Sequence, residues 1–344
     1  MPEPHRRRVR YSGKYPRRFE DKYKEFAPEK YPETVAKVVA SGKTPAGSHR
    51  PIMVSEILAV LDPKPGETAV DCTLGYGGHA REILSRLRPG GRLIGLDVDP
   101  VEQPHTEERL RALGFGPDEF LARRSNFAGL PKVLAAEGLA GADCILADLG
   151  VSSMQIDTPI RGFSTKTAGP LDMRMNPQKG LPASELLARL QPRALGDILR
   201  ENADEPRAAL LSEHLAGKNF TLTTDLAEAI RSLLPHLQED ERDRTVRRVF
   251  QALRIAVNEE FTALDALLRH LPQCLNPDGR VAILTFHSGE DRRVKKAFQS
   301  AYREGLFSRI ADEIIRPTPE ECRANPRSTS AKLRWAKRAS AATD

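Results

Sequence analysis

From residue 49 onward, apolar and polar positions switch between a helical and a strand period, the pattern of an alternating α/β protein. Ile52 to Leu61 predicts a short helix, Ala69 to Leu74 an apolar strand running into Gly75-Tyr76-Gly77-Gly78, and Ala80 to Leu87 a helix closed by Pro89-Gly90-Gly91. Two further strands are predicted, Leu93 to Leu96 ending in Asp97-Val98-Asp99-Pro100, and Cys144 to Ala147 ending in Asp148. Strand, helix, strand with loops at the carboxyl ends predicts a parallel, doubly wound sheet. After Asp148 the rhythm stops, and the next buried strand, Val281 to Phe286, comes roughly 130 residues later, where one crossover helix would suffice. Helical patterns fill the gap over Ala183 to Leu190, Leu195 to Glu201, Arg207 to Ala216, Leu226 to Leu234 and Arg247 to Leu268. The expected organisation is therefore a sheet domain made of 49–155 and 241–344, with a helical domain inserted at 156–240.

Composition narrows the class. With 344 residues, 40% hydrophobic and 29% charged, the chain is neither disordered nor fibrous. No run approaches the ~18 apolar residues of a membrane helix. Met1 to Arg10 is basic but lacks the apolar core of a secretory signal, so a cytoplasmic protein is expected. Cys72, Cys144, Cys274 and Cys322 have no C-x-x-C spacing, so neither a disulfide framework nor a metal site is expected. Of the net charge of +6, most belongs to an arm: residues 1–30 hold ten Lys or Arg against five acids. Tyr11, Tyr15, Phe19, Tyr23, Phe26 and Tyr31 are interleaved with these cations. Such an arm, taken with its linker as 1–48, suits single-stranded nucleic acid. The spacing 11, 15, 19, 23 equally suits a stripe packed on the domain, and both readings stay open.

The segment Asp71-Cys72-Thr73-Leu74-Gly75-Tyr76-Gly77-Gly78-His79, between a strand and a helix, is a nucleotide-type loop. Its glycines let backbone approach a ligand, and the helix start offers unpaired N–H groups. Asp97, at the end of the second strand, is placed to take both hydroxyls of a ribose. These features fit NAD and S-adenosylmethionine alike. Asp71 suits a ligand carrying an ammonium and a sulfonium, and Gly75-x-Gly77-Gly78 departs from the dinucleotide spacing G-x-G-x-x-G, which favours S-adenosylmethionine. Asp148-Leu149-Gly150-Val151-Ser152-Ser153-Met154-Gln155 ends a third strand on the same rim. There Asp148, Ser152 or Ser153 can cap a helix, but the position opposite the glycine loop favours a functional role for Asp148.

Together these residues resemble one family, the bacterial 16S ribosomal RNA cytosine-N4 methyltransferases, also called RsmH or MraW. The matching runs are His49-Arg50-Pro51-Ile52-Met53, the loop from Asp71 to His79, Asp97-x-Asp99-Pro100 and Asp148 to Gln155. They continue through Arg161-Gly162-Phe163-Ser164, Gly169 to Met175, Phe250 to Ile255, Phe286-His287-Ser288 and Asn325-Pro326-Arg327-Ser328. The resemblance implies a Rossmann-like class I S-adenosylmethionine-dependent methyltransferase fold with an inserted helical domain. It implies cofactor binding by Gly77, Gly78 and His79, by Asp97 at the ribose, by Phe127 beside the adenine, and by Asp148 and Gln155 near the methionine end. The implied substrate is N4 of cytosine 1402 in the decoding site of 16S rRNA within the small subunit. The sequence departs from the family pattern at Cys72, over Asn202 to Arg207, at Gly289 and at Thr329.

A cytosine amine is a poor nucleophile, because its lone pair is delocalised into the ring. Alignment with the methyl group and a hydrogen bond to a carboxylate address this, and Asp148 is the catalytic candidate. The base must be unpaired or flipped, and Arg161, Phe163 and Arg174 are candidates to hold the RNA. Met173 and Met175 are expected in the core. His287 to Asp291 reads as a capping box with Ser288 as N-cap and Asp291 three residues on. The acid-free run Arg323 to Arg338, with Arg327, Lys332 and Arg334, is expected to meet phosphate. Two other readings remain: a cofactor-binding ribosome-assembly factor, and a paralogue with a different RNA target.

Overall fold

A computed structural model describes residues 51–340; the arm at 1–48 lies outside the described residues. The sheet-domain elements before the insertion are α1 (Val54–Leu61), β1 (Thr68–Asp71), α2 (Gly78–Leu87), β2 (Arg92–Asp97), α3 (Glu102–Ala112), β3 (Phe120–Arg124), α4 (Leu130–Ala136) and β4 (Ala142–Asp148). A short α5 (Ser153–Asp157) leads to the insertion, α6 (Ala183–Arg189), α7 (Pro192–Ala203), α8 (Ala208–Leu215), α9 (Thr223–Ser232) and α10 (Glu239–Val257). The chain returns through α11 (Glu260–Cys274), β5 (Leu275–Thr285), α12 (Ser288–Arg303), β6 (Phe307–Ile310), α13 (Pro319–Ala324) and β7 (Lys332–Arg338).

The seven strands lie in the order β3-β2-β1-β4-β5-β7-β6. The first five are parallel, and β7 runs antiparallel to both neighbours. Alternate side chains feed opposite faces, which is why the central strands read as unbroken apolar runs. Ile145 and Ala147 of β4, with Val281 and Ile283 of β5, pack under α4, α11 and α12. Cys144 and Leu146, with Ala282 and Leu284, pack on the other face with Ile57 and Leu61 of α1 and Ile83, Leu84 and Leu87 of α2. Each such fully buried Leu or Ile stabilises the fold by about 1.5–3 kcal/mol.

The insertion has its own apolar cluster. Leu187, Leu195, Leu199, Leu211, Leu226 and Ile230 pack with Val246, Val249, Phe250 and Leu253, so the cluster draws on α10 well past residue 240.

Three departures from the sequence expectations have physical causes. The single helix predicted over Arg247 to Leu268 is two, α10 and α11, broken at Asn258-Glu259, where Glu259 is left-handed with φ 50°. Asn258 holds the break by accepting from the Met175 N–H at 2.7 Å and donating to the Met173 carbonyl at 2.8 Å, which docks the 173–175 loop there. Residues 101–141, which carry no clear apolar period, form α3, β3 and α4; α3 buries two polar residues, Gln103 and Thr106, with a single leucine, Leu110. The C-terminal basic run carries a strand that the apolar pattern does not predict, β7, in which Leu333, Arg334 and Ala336 are buried.

Candidate functional site

Because β2, β1 and β4 are neighbours, their carboxyl ends bring Asp97, Asp71 and Asp148 onto one rim. Hydrogen bonds tie the three ends together. The Thr73 N–H donates to Asp71 at 3.0 Å, and the Asp148 N–H donates to Thr73 Oγ1 at 2.7 Å. The Gly75 N–H donates to Asp97 Oδ2 at 2.8 Å, and the Asp99 N–H to Asp97 Oδ1 at 2.9 Å. The loop between them is tight: Gly77 has φ 81°, and a Cβ there would stand 2.8 Å from Thr106 Cγ2. Gly78 opens α2 against Pro51, where a Cβ would approach to 2.7 Å. No other residue fits these two positions without displacing its neighbours.

None of these three carboxylates has an arginine or lysine ion-pair partner among the described residues. Burial pushes Asp71 and Asp97 up to about 6, and burial with the nearby Glu290 pushes Asp148 up to about 7. The Asp148 side chain nevertheless keeps 27% of its surface exposed, so it is reachable from the cleft. His79 donates from Nε2 to the Ile52 carbonyl at 2.9 Å, which leaves Nδ1 facing Asp148 Oδ2 at 3.7 Å. Burial holds its imidazole below the ordinary range, so the ring stays neutral and its Nδ1 lone pair faces the carboxyl. A neutral nitrogen and a carboxyl in this arrangement form a niche for one proton.

The residues around this trio are tied differently. Asp99, wholly buried, accepts from the Val101 N–H at 3.0 Å, from Gln155 Nε2 at 2.9 Å and from Arg161 at 2.8 Å. Only the Asp97-x-Asp99-Pro100 spacing marks Asp99 in the sequence, and no role follows from that spacing alone. Gln155 also closes a capping box with Ser152 at the start of α5, so both ends of its amide are engaged. Arg161 donates onward to the carbonyls of Arg174 and Met175. Arg174 forks onto Asp172, Arg327 pairs with Asp157 at 2.9 Å, and Lys332 and Arg334 share Asp291. All five cations predicted to meet RNA therefore have a carboxylate partner inside the protein. Phe163 packs on the cluster of the inserted helices, and Phe127, in a single 3₁₀ turn after β3, is half-buried against the sheet core.

The capping box before α12 lies one residue earlier than predicted. His287, not Ser288, has extended backbone and is the N-cap; its Nδ1 accepts from the Glu290 N–H, and Glu290 accepts from the Phe286 and His287 N–H groups. Asp291 is thereby free for Lys332 and Arg334. Burial opposes ionisation of Glu290, but His287, Arg254 and the Phe286 N–H together hold it below its usual range. Gly289 also has a structural reason: a Cβ would come 2.7 Å from Phe261 Cζ, and Phe261 packs on His287 with ring centroids 5.6 Å apart. Cys72, buried in the core, donates its N–H to the Leu146 carbonyl and leaves the loop undisturbed.

The sequence that builds this rim, with its glycine loop, strand-end carboxylates and Asp-Leu-Gly-Val-Ser-Ser turn, matches a known family model over residues 46–339, described as the MraW methylase family. The chain belongs to the MraW methylase family. Ribosomal RNA small subunit methyltransferase H 1 of Lachnoclostridium phytofermentans is 50% identical over 96% of this chain and 93% of its own length. The protein of that name from Agathobacter rectalis is 48% identical over 97% of this chain and 98% of its own. Ribosomal RNA small subunit methyltransferase H of Halorhodospira halophila is 40% identical over 88% of this chain and 98% of its own. In a MraW methylase the uncompensated acids fit a cofactor with cationic groups, and Gly77 and Gly78 leave room for its backbone contacts. Among the described residues no group of three metal-ligating side chains occurs, and no helix is long and apolar enough to cross a membrane.

Proposed function

We propose that this chain methylates N4 of a cytidine, position 1402, in the decoding site of 16S rRNA within the small subunit, acting in the cytoplasm. The observation that carries the reading is the trio of uncompensated carboxyls, Asp71, Asp97 and Asp148, on the rim of a sheet whose loop is built for a nucleotide-like ligand. When bound, S-adenosylmethionine supplies an electrophilic methyl group on a cationic sulfur. Gly77, Gly78 and the start of α2 would hold its polar end, Asp97 the ribose and Phe127 the adenine, while Gln155 steadies the Asp99 turn.

Asp148 accepts a hydrogen bond from the cytosine amine, which localises the nitrogen lone pair and aims it along the line of transfer. Transfer would form the N–C bond and leave the electron pair of the broken methyl–sulfur bond on the cofactor's sulfur, and the methylated nitrogen would be strongly acidic. Its proton passes to Asp148, with His79 Nδ1 as the second member of the niche. The inserted helices gather the RNA around the opened base. His287 and Glu290 act as the cap that fixes α12, and no chemical step is assigned to them.

Incubating the pure protein with small-subunit rRNA particles and methyl-labelled S-adenosylmethionine, followed by nucleoside mass spectrometry, tests the reading. Labelled N4-methylcytidine at the decoding site is expected. Label at another nucleotide would identify a paralogue with a different target, and cofactor binding without label would identify an assembly factor.

A further inference from the structure

Each of the five cations predicted to meet RNA already has a carboxylate partner among the described residues, whereas unpaired positive charge stands on two outer helices. Two helices outside the rim carry cations at the same n, n+3, n+4 spacing: Arg244, Arg247 and Arg248 on α10, and Arg292, Lys295 and Lys296 on α12. Residues so spaced share one helix face. The two triplets meet at one corner of the fold. Arg248 approaches Glu205 Oε2 at 3.8 Å, and the neighbouring Asp204 holds Arg292 at 3.0 Å and accepts from Ser288 Oγ at 2.8 Å. Asp204 and Glu205 end α7 and precede α8, so this corner joins the insertion to the start of α12. Arg244, Arg247, Lys295 and Lys296 are exposed, and no carboxylate among the described residues pairs with any of them. The four unpaired cations give both helices an exposed positive face at this corner.

We infer that the α10 and α12 triplets form one ridge that binds the sugar-phosphate backbone of the RNA substrate, bridging the inserted helices and the sheet domain. The inference rests on the proposed function for the identity of that RNA. The α12 triplet begins one turn after the His287–Glu290 cap, so the ridge starts beside the rim. Asp204 links α12 to the end of α7 beside the Glu205 that Arg248 approaches, so the two triplets flank one turn. Contacts of this kind position RNA without reading its sequence.

The test is a salt titration of small-subunit rRNA binding for the wild-type chain and for Arg244→Gln/Arg247→Gln/Lys295→Gln/Lys296→Gln, with methylation kinetics alongside. All four side chains are exposed and unpaired, and an unchanged melting temperature verifies the fold. The slope of log affinity against log salt is expected to fall by about 3, at roughly 0.7–0.9 for each phosphate that the variant no longer neutralises. Binding near physiological salt should weaken at least ~tenfold, with kcat at saturating RNA and cofactor affinity unchanged. An unaltered slope with active wild-type protein overturns the ridge while leaving the function standing. Wild-type protein that neither binds nor labels the RNA overturns the proposed function, and the ridge with it.

Discussion

Two halves of the rim treat negative charge in opposite ways. On the side of the glycine loop, Asp71 is buried and Asp97 and Asp148 half-buried, with no arginine or lysine partner among the described residues, and burial raises Asp71 and Asp97 to about 6 and Asp148 to about 7. On the side of the insertion and the C-terminal strands, Asp99, Asp157, Asp172 and Asp291 each hold an arginine. Arg174 pulls Asp172, and Arg334 with Lys332 pulls Asp291, below the usual carboxylate range against the opposing effect of burial. Leaving buried acids uncompensated costs stability, and a fold retains such a cost where a ligand will offset it. The first half leaves its acids without a protein cation among the described residues; in the second each of these acids has one.

The largest effect that could break this contrast comes from the scaffold side. Arg161→Ala leaves Asp99, whose side chain is 1% exposed, without its cation, and should cost about 3–5 kcal/mol in chemical denaturation. Intact stability with a raised KM for RNA would instead make Arg161 a contact residue. On the loop side, Asp148→Asn should lower kcat by about 10²–10⁴ while cofactor affinity changes far less. In the wild type, the rate should fall as pH drops through about 7, because only the ionised carboxyl can accept the amine proton. Asp97→Ala removes the acceptor of two loop N–H groups and should weaken cofactor binding by about ten- to a hundredfold, as read by calorimetry. The smallest change is Lys332→Ala: Arg334 still satisfies Asp291, so the loss should stay within about 1 kcal/mol and the KM for RNA should not move.

The loop-side half is legible in the sequence because its chemistry follows strand ends: a parallel strand followed by Asp and Gly fixes where those residues emerge. Asp71, Asp97 and Asp148 need only the order of the apolar runs. The braced half is not, because pairings such as Arg327 with Asp157 or Arg334 with Asp291 join residues far apart in the chain, and a basic run alone cannot distinguish a solvated face from a set of internal braces. Strand β3 is hidden for another reason: Phe120, Leu121 and Ala122 make too short an apolar run before Arg123 and Arg124. The shift of the cap from Ser288 to His287 turns on backbone angle, to which side-chain type is only a guide.

The contrast also sets a proton balance. Each raised carboxyl binds its proton more tightly folded than unfolded, so the stability it contributes falls as pH rises from about 4 to its folded value near 6 or 7. His79, whose pKa is lowered, works in the opposite sense, losing its contribution as pH falls below its unfolded value. A bound cation favours the ionised carboxylates and must therefore expel protons. The most direct test is calorimetric titration of the wild-type chain with S-adenosylmethionine near pH 6.5, in two buffers of different ionisation enthalpy. Net proton release, with affinity rising as pH increases through about 6, is the predicted result. Binding with no buffer dependence and no pH dependence would contradict the claim that Asp71 and Asp97 form the cofactor's niche.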